Sequence, residues 1–316
     1  MKKLFILAGI VSVLLLSCSK NSETTKGGVI LAGIKASKSL EIECVNLDSG
    51  EVINNTPISS YVAGSTVYDP QTDSYGYLGS DTIFRLIDPE TGTEKKSIKL
   101  PGLISQAAID ADDFTLIGQY VVVSYADDPD SAKHKIATAG VPVYTNYVIK
   151  VDLATGDILA NNVVDFGEGT ILCGYYYDQE TNRYVILRSD NKLLTINPST
   201  GEVTKSVDLI RPVMNFFYNT ADKTVIGMNA SANPDQINLV VFDPETGLEK
   251  SSKVLTELTT FIICIAGYDA ASGCYMLVND KYEVLFIDVT TGKIKKSYQL
   301  VDPMSDIKFW RRIVKV

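Results

Sequence analysis

Apolar residues recur along this chain in short runs, and each run ends in the same polar punctuation. The stretch 285–292, LFIDVTTG, shows the unit: an apolar run closes on Asp288, and Thr291-Gly292 complete a turn. An Asp or Asn at the head accepts backbone N–H groups through its side chain, and Gly takes positive φ without a Cβ clash. That chemistry folds one strand back on the next. The same device stands at 46–50, 88–92, 152–156, 197–201 and 243–247.

The turn glycines fall at 50, 92, 156, 201, 247 and 292, at intervals of 42, 64, 45, 46 and 45 residues. A period in the forties with strands throughout is the mark of four-stranded propeller blades. The long interval holds an insertion at 126–141. A second marker, Tyr68-Asp69, Tyr177-Asp178, Tyr218-Asn219 and Tyr268-Asp269, ends another strand in each unit, with Ile109-Asp110 as its variant. Each unit therefore reads as strands A, B, C and D.

The first complete unit spans 59–68, 74–78, 82–87 and 93–100. The second begins near Leu103, with its B and C strands at 115–125 and 144–151, and later units begin near Thr170, Pro212 and Thr260. Ahead of them, 28–35, 40–45 and 51–56 supply only B, C and D, and 305–314 at the far end supplies only A. Joined, these fragments make one more blade. The expectation is an all-β, six-bladed propeller with essentially no helix, closed by the C-terminal strand beside the N-terminal blade. A seven-bladed ring is the alternative. Closure covers sheet edges that an open array would expose.

Composition changes this picture little. The 316 residues are 45% hydrophobic, enough for a large core, and the formal charge of −9 comes without a basic run. Nucleic acid is therefore not an expected partner. The N-terminus reads as a processing signal: Lys2-Lys3, an apolar run from 4 to 16, then Leu15-Leu16-Ser17-Cys18. It resembles a bacterial lipoprotein signal. The resemblance implies removal of 1–17, lipidation of Cys18, and, through Ser19, anchoring in the outer membrane with the body periplasmic or at the cell surface. Residues 18–28 then read as lipidated Cys and flexible tether, and 29–316 as the propeller. Cys44, Cys173, Cys264 and Cys274 sit in apolar strands of different repeats or, for the last two, out of register across one hairpin. All four are expected to be buried free thiols.

The Asp-x-x-Thr-Gly hairpins resemble those of the quinoprotein-like and YVTN-type β-propellers. Quinoprotein repeats place Trp four residues after the Gly, where this chain holds Asn54, Lys96, Ala160, Lys205, Ser251 and Lys296. The departure argues against a pyrroloquinoline quinone enzyme, and no cofactor is expected.

Catalytic constellations are not legible. His134 is the only histidine, which removes His-based metal clusters and Ser-His-Asp or Cys-His pairings. Asp127, Asp128 and Asp130 lack the spacing of a calcium loop. The expected function is a non-catalytic, lipid-anchored binding or scaffold module for a protein or glycan partner. The alternatives are a lyase or hydrolase acting on a sugar or peptide through carboxylate, Tyr, Lys and Arg groups, or a degenerate quinoprotein. Alternating strand direction puts the A–B and C–D turns on one face and the irregular B–C and D–A connections on the other. Variable loops on a rigid scaffold are where binding resides. Tyr61, Gln106, Thr170, Arg211, Asn215, Phe261 and Lys308, at the entrances of the A strands, are therefore the candidate ligand-binding set around the channel mouth.

Overall fold

The computed structural model describes residues 28–36, 39–126, 141–166, 172–230, 236–258, 260 and 265–312. The chain opens with β1 (Val29–Ala36), β2 (Leu40–Asn46) and β3 (Glu51–Pro57). Four strands follow as β4 (Val67–Asp69), β5 (Ser74–Leu78), β6 (Ile83–Ile87) and β7 (Glu94–Lys99). The next four are β8 (Ser105–Asp110), β9 (Thr115–Ala126), β10 (Val141–Asp152) and β11 (Ile158–Val163). Then come β12 (Leu172–Asp178), β13 (Arg183–Arg188), β14 (Lys192–Ile196) and β15 (Val203–Asp208). They are followed by β16 (Met214–Asn219), β17 (Thr224–Ala230), β18 (Ile237–Phe242) and β19 (Glu249–Val254). The last five are β20 (Ala266–Asp269), β21 (Cys274–Val278), β22 (Glu283–Asp288), β23 (Ile294–Gln299) and β24 (Met304–Arg311).

These strands form six four-stranded antiparallel sheets, and the chain is a six-bladed β-propeller. Blade I is β24-β1-β2-β3, and blades II to VI take the remaining strands four at a time in chain order. The A strands β24, β4, β8, β12, β16 and β20 contact one another in that order and return to β24, closing the ring. The B and C strands are sandwiched between neighbouring blades. Every residue of β5 and β21 is accordingly buried, and the outer D strands β15 and β23 alternate mostly between half-buried and exposed.

The turn glycine of the repeat has a second role in packing the ring. Gly247 has φ 73°, and a Cβ there would meet the Asp208 carbonyl oxygen at 2.2 Å. Gly201 has the same φ, and its Cβ would meet the Val163 carbonyl oxygen at 3.0 Å. Each C–D hairpin thus lies on the end of the preceding blade's D strand, so Gly serves both the turn and the seam.

Closure is local and charged. β24 pairs with β1 from Val29↔Arg311 to Lys35↔Met304, and the Arg312 N–H donates to the Gly28 carbonyl at 3.1 Å. Arg311 forks onto Asp269 of blade VI at 2.7 and 2.5 Å, while Arg312 pairs with Asp73 at 2.7 Å and with Glu90, both in blade II. Trp310 occupies the place that an Asx turn head holds in every other blade, and Arg311 follows it. Blade I has no A–B turn to cap, because the chain ends meet there, so a cation stands next to this position and grips the neighbouring blade.

Three local expectations need adjustment. The A strand expected over 59–68 is only Val67–Asp69, because Gly64 (φ 75°) turns the link to meet Gln106 N–H and the Asp306 carboxylate. The A strand expected to begin near Thr260 begins at Ala266. The insertion in blade III lengthens its strands: β9 and β10 pair from Thr115↔Asp152 out to Ala126↔Val141, a ribbon extending past the neighbouring strands. Residues 127–140, with His134 and the three aspartates, lie outside the described residues. Cys44 and Cys274 are free and buried, and burial pushes the Cys44 thiol up to about 12. Cys264 and the Cys173 side chain lie outside what is described. Tyr268 faces Tyr275 in the expected register.

Candidate functional site

The channel is built from A strands of two alternating kinds. In blades I, III and V the A strand carries a bulge at a non-glycine residue of positive φ: Asp306 (50°), Gln106 (52°) and Asn215 (49°). Such a residue costs about 1–3 kcal/mol unless its surroundings hold it. Each is held in the same way. A fully buried tyrosine on the B strand of the next blade donates its hydroxyl to the bulge carbonyl. Tyr75 reaches Asp306 at 2.9 Å, Tyr184 reaches Gln106 at 2.5 Å, and Tyr275 reaches Asn215. Burial raises all three phenols well above their ordinary range, so they stay protonated donors.

The bulge is also accommodated from behind. Gly33, Gly118 and Gly227 occupy one B-strand position in blades I, III and V. A Cβ there would lie 3.2, 3.3 and 3.2 Å from the carbonyl oxygens of Ser305, Ser105 and Met214. In blades II, IV and VI the same position holds Tyr77, Ile186 and Leu277. The ring is thus three copies of a two-blade unit.

The candidate residues divide accordingly. Gln106 and Asn215 are bulge residues, and Asn215 also donates its side-chain N–H to the Ile265 carbonyl at 3.2 Å. Gln106 keeps a buried Oε1 without a partner among the described residues. The Tyr61 hydroxyl meets Ser305 Oγ at 2.8 Å. Lys308 Nζ crosses from blade I to the Tyr175 hydroxyl of blade IV at 3.4 Å and lies 5.8 Å from that ring's centre. Blades I and IV are opposite in the ring, so this contact spans the channel. Arg211 is held elsewhere: its Nε pairs with Glu249 of β19, an outermost strand, at 3.0 Å. Thr170, Phe261 and the lipidation residue Cys18 lie outside the described residues. Beside Lys308, burial holds the Asp306 carboxyl above its ordinary range, against the backbone N–H of Gly64 at 2.6 Å. The channel thus has a polar, narrow waist formed by one ammonium, phenols and a carboxyl.

A cleft of ≈ 160 Å³ opens on the opposite, turn-bearing face, between blades IV and V, lined by Tyr176, Tyr218, Asp178, Arg183, Lys223 and Glu245. The tyrosines stack with centroids 4.3 Å apart, and burial pushes the Tyr218 phenol up to about 12. Glu245 takes both Arg183 at 2.9 Å and Lys205 at 2.6 Å, and Lys223 takes Glu180 at 2.9 Å. These charges answer one another within the seam. Sequence reasoning placed nothing here, because the residues come from five separate turns and strands. Among the described residues, no group of three or more His, Cys, Asp or Glu is arranged to hold a metal ion.

The Lys residues found where quinoprotein repeats carry Trp have a structural role. Lys96 reaches the Ala154 carbonyl at 2.5 Å, Lys205 the Glu245 carbonyl at 2.8 Å, and Lys296 the Asp48 carboxylate at 2.7 Å. Each belongs to blade II, IV or VI and staples the next blade's C–D hairpin. Trp310 instead stacks on Tyr68 between blades I and II, at 4.2 Å.

No family model matches the chain, and none of the curated proteins matches it. Solved structures do. A protein of unknown function from Bacteroides caccae superposes with TM-score 0.60 at 13% identity, covering 89% of this chain and 98% of that one. A chain of a Nidogen/Laminin complex gives 0.58 at 12% identity, covering 89% and 98%. The Cps50 (Swd1) β-propeller domain of Myceliophteria thermophila gives 0.54 at 9% identity, covering 86% and 84%. Such identities establish a shared fold and nothing finer: the chain is a β-propeller.

Proposed function

We propose that this chain is a non-catalytic, lipid-anchored binding module that holds a protein partner outside the cytoplasmic membrane, anchored in the outer membrane through Cys18. The observation that carries this reading is the apolar surface on the face of the D–A and B–C connections. Leu103, Ile210 and Val301, in the D–A links leading into blades III, V and I, are 50%, 67% and 79% exposed. Exposed Val121, Val122, Val123, Val143 and Tyr144 of the blade III ribbon belong to the same side. Exposed apolar groups gathered on one face of a rigid scaffold favour a protein partner.

The chain ends support the same orientation. Gly28 and Arg312 meet at the blade I corner on the turn-bearing face. A tether from Cys18 therefore joins that face and leaves the apolar face turned outward. The deciding experiment is capture from membranes with the lipidated chain, run beside a variant carrying Leu103→Asp, Ile210→Asp and Val301→Asp. Loss of one specific protein from the variant, at unchanged thermal stability, supports the reading. Equal capture by both chains, or recovery of a glycan alone, overturns it. Acyl chains on Cys18 by mass spectrometry, lost in Cys18→Ser, check the anchor.

A further inference from the structure

The ribbon of blade III has an open backbone edge. β10 pairs with β11 only from Tyr147 to Val151, and β9 pairs with β8 only from Thr115 to Gln119, whereas β9 and β10 continue together to Ala126 and Val141. The outer half is thus two strands with nothing paired beside them among the described residues.

The direction of its backbone groups follows from one hydrogen bond. The Asn146 carbonyl accepts from Val164 N–H at 2.9 Å, on the β11 side, so Asn146 points its backbone groups away from β9. In an antiparallel ladder both groups of a residue point the same way, and successive residues alternate. Asn146 faces Val121, so that pair and the next two alternate pairs, Tyr144 with Val123 and Pro142 with Tyr125, turn their backbone groups outward on both sides.

The two edges are not equivalent. On β10 the outward position 142 is proline, which has no N–H to offer and blunts that edge. On β9 the outward positions Val121, Val123 and Tyr125 all keep donor and acceptor. No charged residue occurs in 114–126 or 141–149, although the chain carries a net charge of −9. Proteins usually blunt an exposed edge with charge, proline or a cover. Here β10 carries such a device and β9 does not.

We propose that the β9 edge at Val121, Val123 and Tyr125 is a self-association site that pairs antiparallel with the same edge of a second copy of this chain. The inference rests on reading this face as an interface, and it names the occupant of the ribbon. A row of free backbone N–H and C=O groups fits an extended strand rather than a helix or a glycan. The edge is self-complementary: rotation about Val123 sets Val123 against Val123 of the partner copy and Val121 against Tyr125, each pair exchanging both main-chain hydrogen bonds. Such a contact is isologous and closes as a twofold dimer. An uncharged ribbon lets two acidic molecules approach there without repulsion across the seam.

The test is the solution mass of the full chain across a concentration series, by sedimentation and light scattering. The wild type is expected to reach twice the chain mass. Val123→Pro removes only an N–H that faces away from β10, so the ribbon stays paired while the edge closes, and the mass falls to that of one chain. Val121→Lys with Val123→Lys places charge at the seam and gives the same result. Hydrogen exchange adds an independent reading: the backbone amide at position 121 is slow in the dimer and fast in both variants. A wild type that stays monomeric throughout, or a dimer that survives Val123→Pro, overturns the proposal. So does slow exchange at Val121 and Val123 in a monomer, which means that the chain covers its own edge. If Val123→Pro abolishes self-association while Leu103, Ile210 and Val301 still capture a membrane partner, the two readings are separated.

Discussion

Blades II, IV and VI share a hairpin repeat with blades I, III and V but make different seams. An odd blade meets the next even blade through a buried phenol that holds a strained carbonyl. An even blade meets the next odd one through a lysine laid across a hairpin. Both seams bury apolar cores, and they differ in the polar contact added: a buried phenol in the first, an exposed lysine in the second. Buried hydrogen bonds in a dry seam are costly to lose, whereas exposed ion pairs contribute little. The polar contacts within each two-blade unit should therefore contribute more stability than those between units.

The largest expected effect breaks a phenol seam. Tyr275→Ala removes a fully buried ring and its hydroxyl and should cost about 3–5 kcal/mol. Tyr275→Phe keeps the ring but leaves the Asn215 carbonyl without its donor, for about 1–2 kcal/mol. At the matching position of blade III, Leu116→Met changes no polar contact and should cost less than about 1.5 kcal/mol. Denaturant midpoints at unchanged slope measure all three. Equal losses for Tyr275→Phe and Leu116→Met would erase the distinction between the blades.

Next in size is the glycine behind the bulge. A Cβ at Gly118 would stand 2.3 Å from Ile104 Cγ2 and 3.3 Å from the Ser105 carbonyl. The side chain can rotate but the carbonyl cannot, so Gly118→Ala should lower stability by roughly 1–3 kcal/mol. The equivalent residue of blade VI, Leu277, is buried and needs its bulk, so Leu277→Ala should also destabilise, by about 2–5 kcal/mol. One position thus demands the smallest residue in one blade and a large one in the other. Thermal melts of the two variants test the pair, and a neutral Gly118→Ala would refute the accommodation argument.

Much of this architecture is legible in the sequence, because the Asp-x-x-Thr-Gly turn is a local signal with a fixed period. Blade number and ring closure follow from it by bookkeeping of the strands. The two-blade period is also written there: Tyr75, Tyr184 and Tyr275 each stand six residues after a turn-head Asp, where blades III and V have Leu116 and Val225. Its meaning is not legible there, because the phenol's partner is a backbone carbonyl in another blade, and a carbonyl has no sequence identity. The candidate site is less legible for a related reason. Tyr61 and Lys308 do reach partners in other blades, at Ser305 and Tyr175, but A-strand entrances do not by themselves decide direction. Arg211 finds Glu249 of an outer strand instead of the channel.

Acid should sharpen the contrast between two kinds of carboxylate. At the hairpin heads, Lys295 and the Thr291 N–H hold Asp288 down at about 2, and Asp88 and Asp152 are also lowered from 3.8. A depressed carboxylate stabilises the fold above its unfolded value and loses that contribution as pH falls through its folded value. The hairpin of blade VI should therefore weaken between pH of about 4 and 2, and those of blades II and III should weaken in the same direction as pH falls below about 4. Asp306 runs the other way. Burial raises its pKa, so its charge costs stability at neutral pH, and protonation relieves that cost as pH falls. Stability of Asp288→Asn against pH should flatten this acid limb relative to wild type, and Asp306→Asn should steepen it. Parallel curves for both variants would contradict the assignment.

The smallest effect belongs to the lysine staples. Lys205 and Glu245 are both well exposed, at 37% and 57% for their side chains, so Lys205→Met should cost no more than about 1 kcal/mol at low salt. Salt screens such a pair, and the difference between Lys205→Met and wild type should shrink as ionic strength rises. The odd blades offer the reverse experiment. Ser251 holds the matching place in blade V, and the residue of the blade VI hairpin that matches Ala154, Glu245 and Asp48 is Thr290, which has no carboxylate. A lysine introduced by Ser251→Lys therefore meets a carbonyl at most and should add less than Lys205→Met removes. If Ser251→Lys stabilises as much as Lys205→Met destabilises, the staple is a generic surface charge effect rather than a feature of alternate seams.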